Sequence, residues 1–284
     1  MKPAAFDYHR PTDVVAALAL LDAHGADGKV LAGGQSLVAA MNFRLARPGV
    51  LIDVNRIAEL DYLRVEGGHL RVGALTRHAA FHRPVVDGPL GTLLSRVVEH
   101  VAHYPIRQRG TFAGSLAHAD PASEWCLTAT VLDAEISVRS LRGARSIPAS
   151  AFFKGTFTTA LEPDELITEI RLPLLDAGWR GGFSEFSRRA GDFALAMALA
   201  VLRVESGVIR AARLGIGGVA DRAIRLHAVE AALVGREATE SIFRAAGAEA
   251  SRAVEPSADI HASSEYRRDL IAAMVARALA EAAA

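Results

Sequence analysis

Hydrophobic and polar positions in residues 1–56 follow first a helical and then a strand-like period. A helical apolar stripe is predicted to begin at Thr12, as N-cap, and to end before Gly25. A second helix is predicted from Ser36 to about Leu45, and the apolar run 50–54 reads as a buried strand. Strands and helices alternate through this segment, so the pattern predicts a small parallel sheet.

The pattern changes between residues 57 and 177, where alternating apolar and polar positions predict antiparallel strands. Two hairpins are predicted, one of them turning at Gly67-Gly68, and a further strand follows near the end of the region. Two helices are also predicted, a short one capped by Thr76 and a longer one that Pro105 stops. This middle region is therefore predicted to be antiparallel α+β.

Residues 178–284 have a third pattern. Two long strands are predicted to turn at Ser206-Gly207, and three helices follow, the last with an apolar stripe that includes Leu270 and Leu279. The whole chain is thus predicted to be α+β. The predicted domains are 1–177, divided at residue 56, and 178–284.

Composition excludes several classes of protein. Among the 284 residues, 32 basic and 32 acidic side chains give a formal net charge of zero, without the basic excess of a nucleic-acid-binding protein. No apolar run reaches membrane-spanning length, and the N-terminus lacks a signal-peptide core, so a cytoplasmic protein is expected. The single cysteine, Cys126, excludes an internal disulfide and an iron–sulfur cluster held by this chain alone. We expect its thiol to be buried and inert.

Two glycine-containing motifs are the main candidates for chemistry. They are LAGGQSL at 31–37 and RGTFAGSL at 109–116, and each places small residues before a serine and a leucine. Backbone N–H groups around such turns form concave anion sites. The two motifs together could hold a pyrophosphate, with Asp120 and Glu124 beyond them for sugar hydroxyls. Two ordinary tight turns are the alternative.

Two further patterns suggest ligands less strongly. GIGGVA at 215–220 matches the dinucleotide fingerprint, but it ends a predicted hairpin strand, which favours a packing or turn role. His100 and His103 lie three residues apart on a predicted helix and could form a metal pair. No third ligand is suitably spaced nearby, so surface or cap roles are preferred, and no metal site is predicted.

A third pattern contains the residue types of a catalytic triad. Ser115, His118 and Asp120 are too close in sequence for the usual triad, whose members come from separate elements, and G-x-S-x-G is missing. A hydrolase is therefore disfavoured. We expect His118 and Asp120 to brace the second glycine turn instead.

A family resemblance strengthens the pyrophosphate interpretation. LAGGQSLVAAMNFRLARPGVLIDVNRI together with IRQRGTFAGSLAHADPASEW resembles the FAD-binding medium subunit of the molybdenum hydroxylases, the family of carbon monoxide dehydrogenase and the xanthine dehydrogenases. EFSRRAGDFALA and LGIGGVADRAIRL extend the resemblance over essentially the whole chain. It implies an FAD-binding domain, with a small parallel βαβ subdomain and an antiparallel α+β subdomain. A C-terminal antiparallel sheet with a three-helix bundle would follow.

The resemblance also implies which residues contact FAD, and it implies no catalytic side chain. Glu124 occupies the position of the family's ribose-contacting aspartate. Ile167 occupies that of an apolar residue at the flavin edge. Phe193, which follows Asp192, occupies that of a residue beside the isoalloxazine. The residues implied by the two motifs are Ala32, Gly33, Gly34, Gln35, Ser36, Leu37, Thr111, Phe112, Ala113, Gly114 and Ser115.

Three positions depart from the family pattern. Ala113 stands where glycine is usual, Glu124 where aspartate is usual, and Glu185 near a position that is lysine in many relatives. If the turn needs a positive φ at Ala113, the alanine is strained by roughly 1 kcal/mol.

The implied function is that of an FAD-carrying electron-transfer subunit of a heteromeric oxidoreductase. Electrons would arrive from [2Fe–2S] clusters on a small partner subunit and leave to an external acceptor such as NAD or a quinone. The organic substrate would be oxidised on a large molybdopterin subunit. Two alternatives stay open: a non-catalytic scaffold that has lost FAD, and a self-sufficient flavin oxidase.

Overall fold

A small parallel sheet opens the fold in the computed structural model, which describes residues 2–284. Its strands, in the order β1-β3-β2, are β1 (Asp7–His9), β2 (Gly28–Leu31) and β3 (Val50–Asp53). The helices between them are α1 (Val14–His24) and α2 (Leu37–Asn42). The predicted parallel βαβ subdomain is confirmed.

The cap of α1 differs from the prediction by one residue. Asp13, not Thr12, is the N-cap, and its carboxylate accepts a hydrogen bond of 2.8 Å from the N–H of Ala16. Asp13 has extended backbone angles, which turn its side chain back onto the first helical turn. Gly25 follows the helix with a φ of 50°, as its predicted position requires.

The middle region is built on a five-stranded antiparallel sheet in the order β4-β5-β10-β6-β7. A separate two-stranded ribbon pairs β8 with β9. The strands are β4 (Leu63–Glu66), β5 (His69–Gly73), β6 (Glu135–Ser140), β7 (Gly143–Pro148), β8 (Phe153–Gly155), β9 (Thr158–Thr159) and β10 (Leu166–Pro173). Both predicted hairpins are present. Gly67 and Gly68 have φ of 60° and 75°, as a two-residue hairpin turn requires.

Five α-helices accompany this sheet, and the predicted short helix after Thr76 is a 3₁₀ helix at His78–His82. Two predictions about the ends of these helices are wrong. The helices are α3 (Pro89–His100), α4 (Tyr104–Arg107), α5 (Phe112–His118), α6 (Glu124–Val131) and α7 (Ala149–Phe152). Thr76 caps no helix, because it is buried and its hydroxyl donates to the Tyr62 carbonyl at 2.9 Å. Pro105 does not stop α3, which ends before it. It lies in the first turn of α4, where a missing N–H costs little.

The C-terminal region contains a four-stranded antiparallel sheet in the order β11-β12-β13-β14 and three helices. The strands are β11 (Trp179–Phe186), β12 (Ala196–Glu205), β13 (Val208–Gly217) and β14 (Ile224–Arg225). The helices are α8 (His227–Leu233), α9 (Glu240–Arg252) and α10 (Ser264–Ala283). The hairpin at Ser206-Gly207 and the three helices are confirmed, whereas β11 and β14 were not predicted. GIGGVA ends β13, and no helix follows it directly.

Both faces of the four-stranded sheet are covered. On β12, Leu199 and Val201 join the core that contains α3 and α6, while Ala198 and Ala200 join a second core with α9 and α10. Side chains on a strand point alternately to its two faces, so a strand covered on both sides is apolar at consecutive positions. Within residues 2–284, no helix is both long and apolar enough to cross a membrane.

Candidate functional site

The two glycine motifs meet at a cavity of about 660 Å³. The cavity lies between β2 and the segment 157–167 that leads into β10, and its volume is typical of a small-molecule site. Lys29 also lines it. The predicted site residues in its lining are Ala32, Gly33, Gly34, Gln35, Ser36, Leu37, Thr111, Ala113, Gly114, Ser115 and Ile167.

Gly33 lies directly against the backbone of the second motif. A Cβ atom on it would be 2.4 Å from the carbonyl oxygen of Arg109 and 2.6 Å from the Cα of Gly110. Both neighbours are main-chain atoms and cannot rotate away. The glycine is therefore required by the contact between the two motifs.

Gly34 is required for a different reason. Its φ is 72°, in the left-handed region that side chains disfavour. The next side chain secures the turn, because Gln35 Nε2 donates to the Gly33 carbonyl at 2.9 Å. Ser36 then precedes α2 as its N-cap residue without a side-chain cap bond.

The second motif forms the start of α5. Thr111 is the N-cap, and its hydroxyl accepts from the N–H of Gly114 at 3.0 Å. Ala113 lies inside the helix and has no positive φ, so the strain considered for this alanine is absent. Phe112 does not line the cavity, because its ring packs in the core against Trp125 with ring centroids 4.6 Å apart.

A buried histidine, which the sequence analysis missed, supports the second motif from beneath. The backbone N–H of His78 donates to the Gly110 carbonyl at 3.0 Å. On its side chain, the ring Nδ1 accepts a hydrogen bond of 2.9 Å from Trp125 Nε1. Burial lowers the pKa of His78 to about 3, so the ring is neutral and carries its proton on Nε2. A Cβ on Gly110 would lie 2.5 Å from that nitrogen, which explains the glycine there.

The opposite wall carries an aromatic pair that was also missed. His118 and Phe157 stack with ring centroids 4.8 Å apart, and both line the cavity. The N–H of Phe157 donates to the Ala119 carbonyl at 3.1 Å, and both residues have left-handed φ angles. Asp120 accepts from the N–H of Ala122 at 2.9 Å, so this carboxylate braces its own turn. The predicted bracing of the second glycine turn is not among the contacts of either side chain: His118 is stacked in the cavity wall, and Asp120 holds the turn before α6.

Two carboxyl groups, on α6 and β11, are close enough for the charge of one to act on the other. Glu124 is buried in the first turn of α6, outside the cavity lining, and burial raises its pKa to about 7. Glu185 on β11 is half-buried, and burial together with the charge of Glu124 raises its pKa to about 9. Glu185 Oε2 has no hydrogen-bond partner within the described part of the chain.

Asp192 and Phe193 lie on the loop between β11 and β12, outside the cavity lining. Phe193 is 73% exposed, so it is not a core residue. Gly191 on the same loop lies against His103, whose ring would be 2.2 Å from a Cβ at that glycine. This loop therefore contacts the connection between α3 and α4.

The remaining candidates, Cys126, His100 and His103, have contacts that fit packing roles and not a reactive or metal-binding site. Cys126 is buried, and burial raises its pKa to about 12, as expected for an inert thiol. His100 meets the Phe183 ring edge-on, while His103 lies beyond the end of α3, so the two histidines do not share a helix as predicted. In residues 2–284, no three His, Cys, Asp or Glu side chains are grouped as metal ligands.

The cavity suits a ligand that carries phosphates. Its lining includes the glycine turns, the hydroxyl residues Ser36 and Ser115, and Lys29, and backbone N–H groups, hydroxyls and an ammonium group are donors that favour an anion. Of the two glutamates in the lining, Glu165 is paired with Arg145. Gly33 and Gly34 allow a ligand to approach the main chain closely. The residues present therefore fit the diphosphate of an FAD molecule.

Comparison with known proteins agrees with this chemistry. The model of the FAD binding domain in molybdopterin dehydrogenase matches residues 4–175, and that of the CO dehydrogenase flavoprotein C-terminal domain matches 182–282. The 6-hydroxypseudooxynicotine dehydrogenase complex subunit alpha of Paenarthrobacter nicotinovorans is 39% identical over 99% of this chain and 96% of its own length. Caffeine dehydrogenase subunit beta of Pseudomonas sp. strain CBB1 is 37% identical over 100% and 96%.

A solved structure has the same fold over the whole chain. A chain of carbon monoxide dehydrogenase from Hydrogenophaga pseudoflava, in a form that lacks the Mo-pyranopterin moiety, superposes with a TM-score of 0.95 and 37% identity. The match covers 99% of this chain and 98% of the other. The α+β architecture predicted from the resemblance is thereby confirmed, as is FAD as the cofactor. The chain belongs to the FAD-binding medium subunits of the molybdenum hydroxylases, a family of oxidoreductases.

Proposed function

We propose that this chain carries electrons between two partners through its FAD. One-electron donors would be [2Fe–2S] clusters on a small subunit, and the final acceptor would be a small molecule such as NAD or a quinone. A large molybdopterin subunit would oxidise the organic substrate. Flavin, when bound, supplies both one-electron and two-electron redox chemistry.

The observation that carries the proposal is the meeting of the two glycine motifs across Gly33 and Arg109. In our proposal the pyrophosphate lies at this junction, with Ser36, Thr111 and Ser115 nearby. Ile167 would touch the flavin edge, since it lines the same cavity. We further propose that Glu124, Asp192 and Phe193 contact the rest of the cofactor.

The titratable side chains near the second motif favour electron transfer over catalysis on a substrate. His78 lines the cavity, but it is neutral and its Nδ1 accepts from Trp125; Cys126 lies outside the lining and burial keeps its thiol protonated. Neither is an activated base or nucleophile of the kind that substrate oxidation would need. With one cysteine, the chain also needs a partner to supply iron–sulfur clusters.

The relatives' names support the same division of labour. Those two relatives are named for 6-hydroxypseudooxynicotine and for caffeine, and the structural neighbour is named for carbon monoxide. The names specify three different compounds, while each protein aligns with at least 99% of this chain. A subunit that only transfers electrons would keep the same fold in complexes that oxidise different substrates.

Rapid-mixing spectroscopy of the flavin band tests the proposal. The isolated chain, loaded with FAD, should be reduced by dithionite and should remain oxidised with aldehydes or N-heterocycles. Adding the iron–sulfur and molybdenum subunits should make substrate reduce the flavin.

Two outcomes would reject the proposal. Rapid bleaching of the isolated chain by an organic substrate would support a self-sufficient flavin oxidase. A purified chain without flavin absorbance, which also fails to take up added FAD, would support a scaffold.

A further inference from the structure

Two polar side chains outside the cavity lining join the glycine motifs. Asn55 follows β3, and its Nδ2 donates to the carbonyl of Ala32, in the first motif, at 2.8 Å. The same amide is held by Asp53, whose carboxylate accepts from the Asn55 N–H at 2.9 Å and from Nδ2 at 2.6 Å. Asn55 is thus fixed to the parallel sheet while it holds the first motif.

Arg77 completes the connection to the second motif. Its Nη2 donates to Asn55 Oδ1 at 2.5 Å, and its Nη1 donates to the carbonyl of Arg109. The main chain around it is fixed by pairing with the second motif, through a bridge between Arg77 and Thr111 and a 3.1 Å bond from the Phe112 N–H to the Thr76 carbonyl. The Arg77 guanidinium therefore binds Asn55 with one nitrogen and the Arg109 carbonyl with the other.

Neither Asn55 nor Arg77 lines the cavity. The peptide between Ala32 and Gly33 is trans, so its N–H points opposite to the carbonyl that Asn55 holds. Gly33 lines the cavity and Asn55 does not, so the N–H on the side opposite to Asn55 is the donor that would meet a ligand there. The hydrogen bond from Asn55 to the Ala32 carbonyl thereby fixes the direction of the Gly33 N–H.

We propose that Asn55 and Arg77 are positioning residues for FAD, acting as a tie that fixes the separation of the two glycine motifs and the direction of the Gly33 N–H. The proposal rests on the proposed function, because it assumes that the pyrophosphate lies between the motifs. The tie acts in series: Ala32 to Asn55, Asn55 to Arg77, Arg77 to Arg109. Removing either side chain breaks the whole connection.

The series arrangement makes a specific prediction for a double-mutant cycle. Asn55→Ala and Arg77→Met should each raise the Kd for FAD of the full-length apo chain at least tenfold. The double variant should be no more than about threefold worse than the weaker-binding single variant. Arg77→Lys should be intermediate, because one ammonium group lacks the planar fork that holds two acceptors. It also serves as the gentler variant if Arg77→Met does not fold.

The measurement is quenching of FAD fluorescence on titration, with urea unfolding of each apo chain recorded in parallel. Arg225→Met is the matched control, because Arg225 makes an analogous tie outside the cavity lining. It joins Glu230 in the C-terminal region, at 2.8 Å, to Asp133, which follows α6 in the middle region. This variant should lower the urea midpoint and leave the Kd for FAD within twofold of the wild-type value.

Three results would overturn the tie: single variants that bind FAD within twofold of wild type, effects that multiply in the double variant, or an equal loss in Arg225→Met. These results are distinct from failure of the proposed function. If the wild-type chain does not bind FAD, the proposed function fails. If the wild type binds FAD and the tie variants bind it equally well, only the tie is rejected.

Discussion

Replacing Gly33 by alanine tests the contact between the two motifs directly. The added Cβ would meet the Arg109 carbonyl at 2.4 Å, whereas an ordinary contact begins at 3.4 Å, so the motifs must separate by about 1 Å. A shift of that size breaks a hydrogen bond such as the 2.8 Å bond from Asn55 to Ala32. Overpacking costs about 1–3 kcal/mol, and the lost bond about 1 kcal/mol more.

The expected result is a loss of FAD affinity together with a loss of stability. In the apo variant the motifs can relax apart, and they must close again when FAD binds. Binding then has to supply the overpacking cost of about 1–3 kcal/mol, which raises the Kd for FAD roughly 5- to 150-fold. Fluorescence titration gives the Kd, and urea unfolding gives the free energy.

Gly34→Ala is the matched control at the neighbouring position. Its φ of 72° makes alanine unfavourable by about 1 kcal/mol. The nearest atoms to a Cβ there are flexible side-chain carbons of Val38 and Leu31, at 3.1 and 3.2 Å. This variant should lose stability but keep more of its FAD affinity than Gly33→Ala. Wild-type affinity and stability in Gly33→Ala, or equal losses of affinity in both variants, would refute the reasoning.

Four further variants or treatments test the other groups. Between about pH 4.5 and 7 the wild type should lose stability as the pH rises, because the Glu124 and Glu185 carboxyls ionise in the unfolded chain first. Glu124→Gln should remove the Glu124 part of that loss, on the order of 1–3 kcal/mol in urea melts, and an unchanged pH slope would contradict it. Ala113→Gly should lower the unfolding free energy by about 1 kcal/mol, since the residue is helical; a gain would restore the strain idea. Phe193→Ala should keep the urea midpoint, as the ring is exposed, yet alter the fluorescence of bound flavin; identical holo fluorescence would remove Phe193 from the site. Cys126 should resist a thiol reagent at pH 8 until urea unfolds the chain; reaction at the unfolded rate in native protein would contradict its burial.

Elements specified by local chemistry could be predicted from the sequence. The hairpin at Gly67-Gly68 needs two left-handed residues and no tertiary partner, since nothing lies within 4 Å of either missing Cβ. The capping error at Thr12 arose because two adjacent residues, Thr12 and Asp13, are both good N-caps. Only the backbone angles of the finished structure distinguish them.

Strand β11 was missed because two of its residues are glycines that contacts with distant helices require. Its Gly181 and Gly182 weaken a strand prediction. A Cβ on Gly182 would lie 2.1 Å from the Ala278 carbonyl of α10, and one on Gly181 would meet the Leu93 side chain of α3 at 2.9 Å. The helices that require these glycines are distant in sequence, so no local pattern could reveal the reason.

The site was predicted in part. The glycine motifs were identified, but the close contact of Gly33 with the other motif needs coordinates. Asn55 could have been found, because polar residues just after a parallel strand lie at the edge where ligands bind. Arg77 gives no such signal, since its importance comes from reaching a carbonyl 32 residues away.

The sheet that is covered on both faces has a consequence for biosynthesis. Phe183, Leu199 and Val201 complete the hydrophobic core shared with α3 and α6, yet the ribosome makes them well after the glycine motifs. Non-local contacts of this kind slow folding and leave apolar surface exposed until they form. We therefore expect the cofactor-binding half of the nascent chain to stay incompletely packed until most of the polypeptide has emerged, and flavin to be loaded stably only at a late stage of maturation.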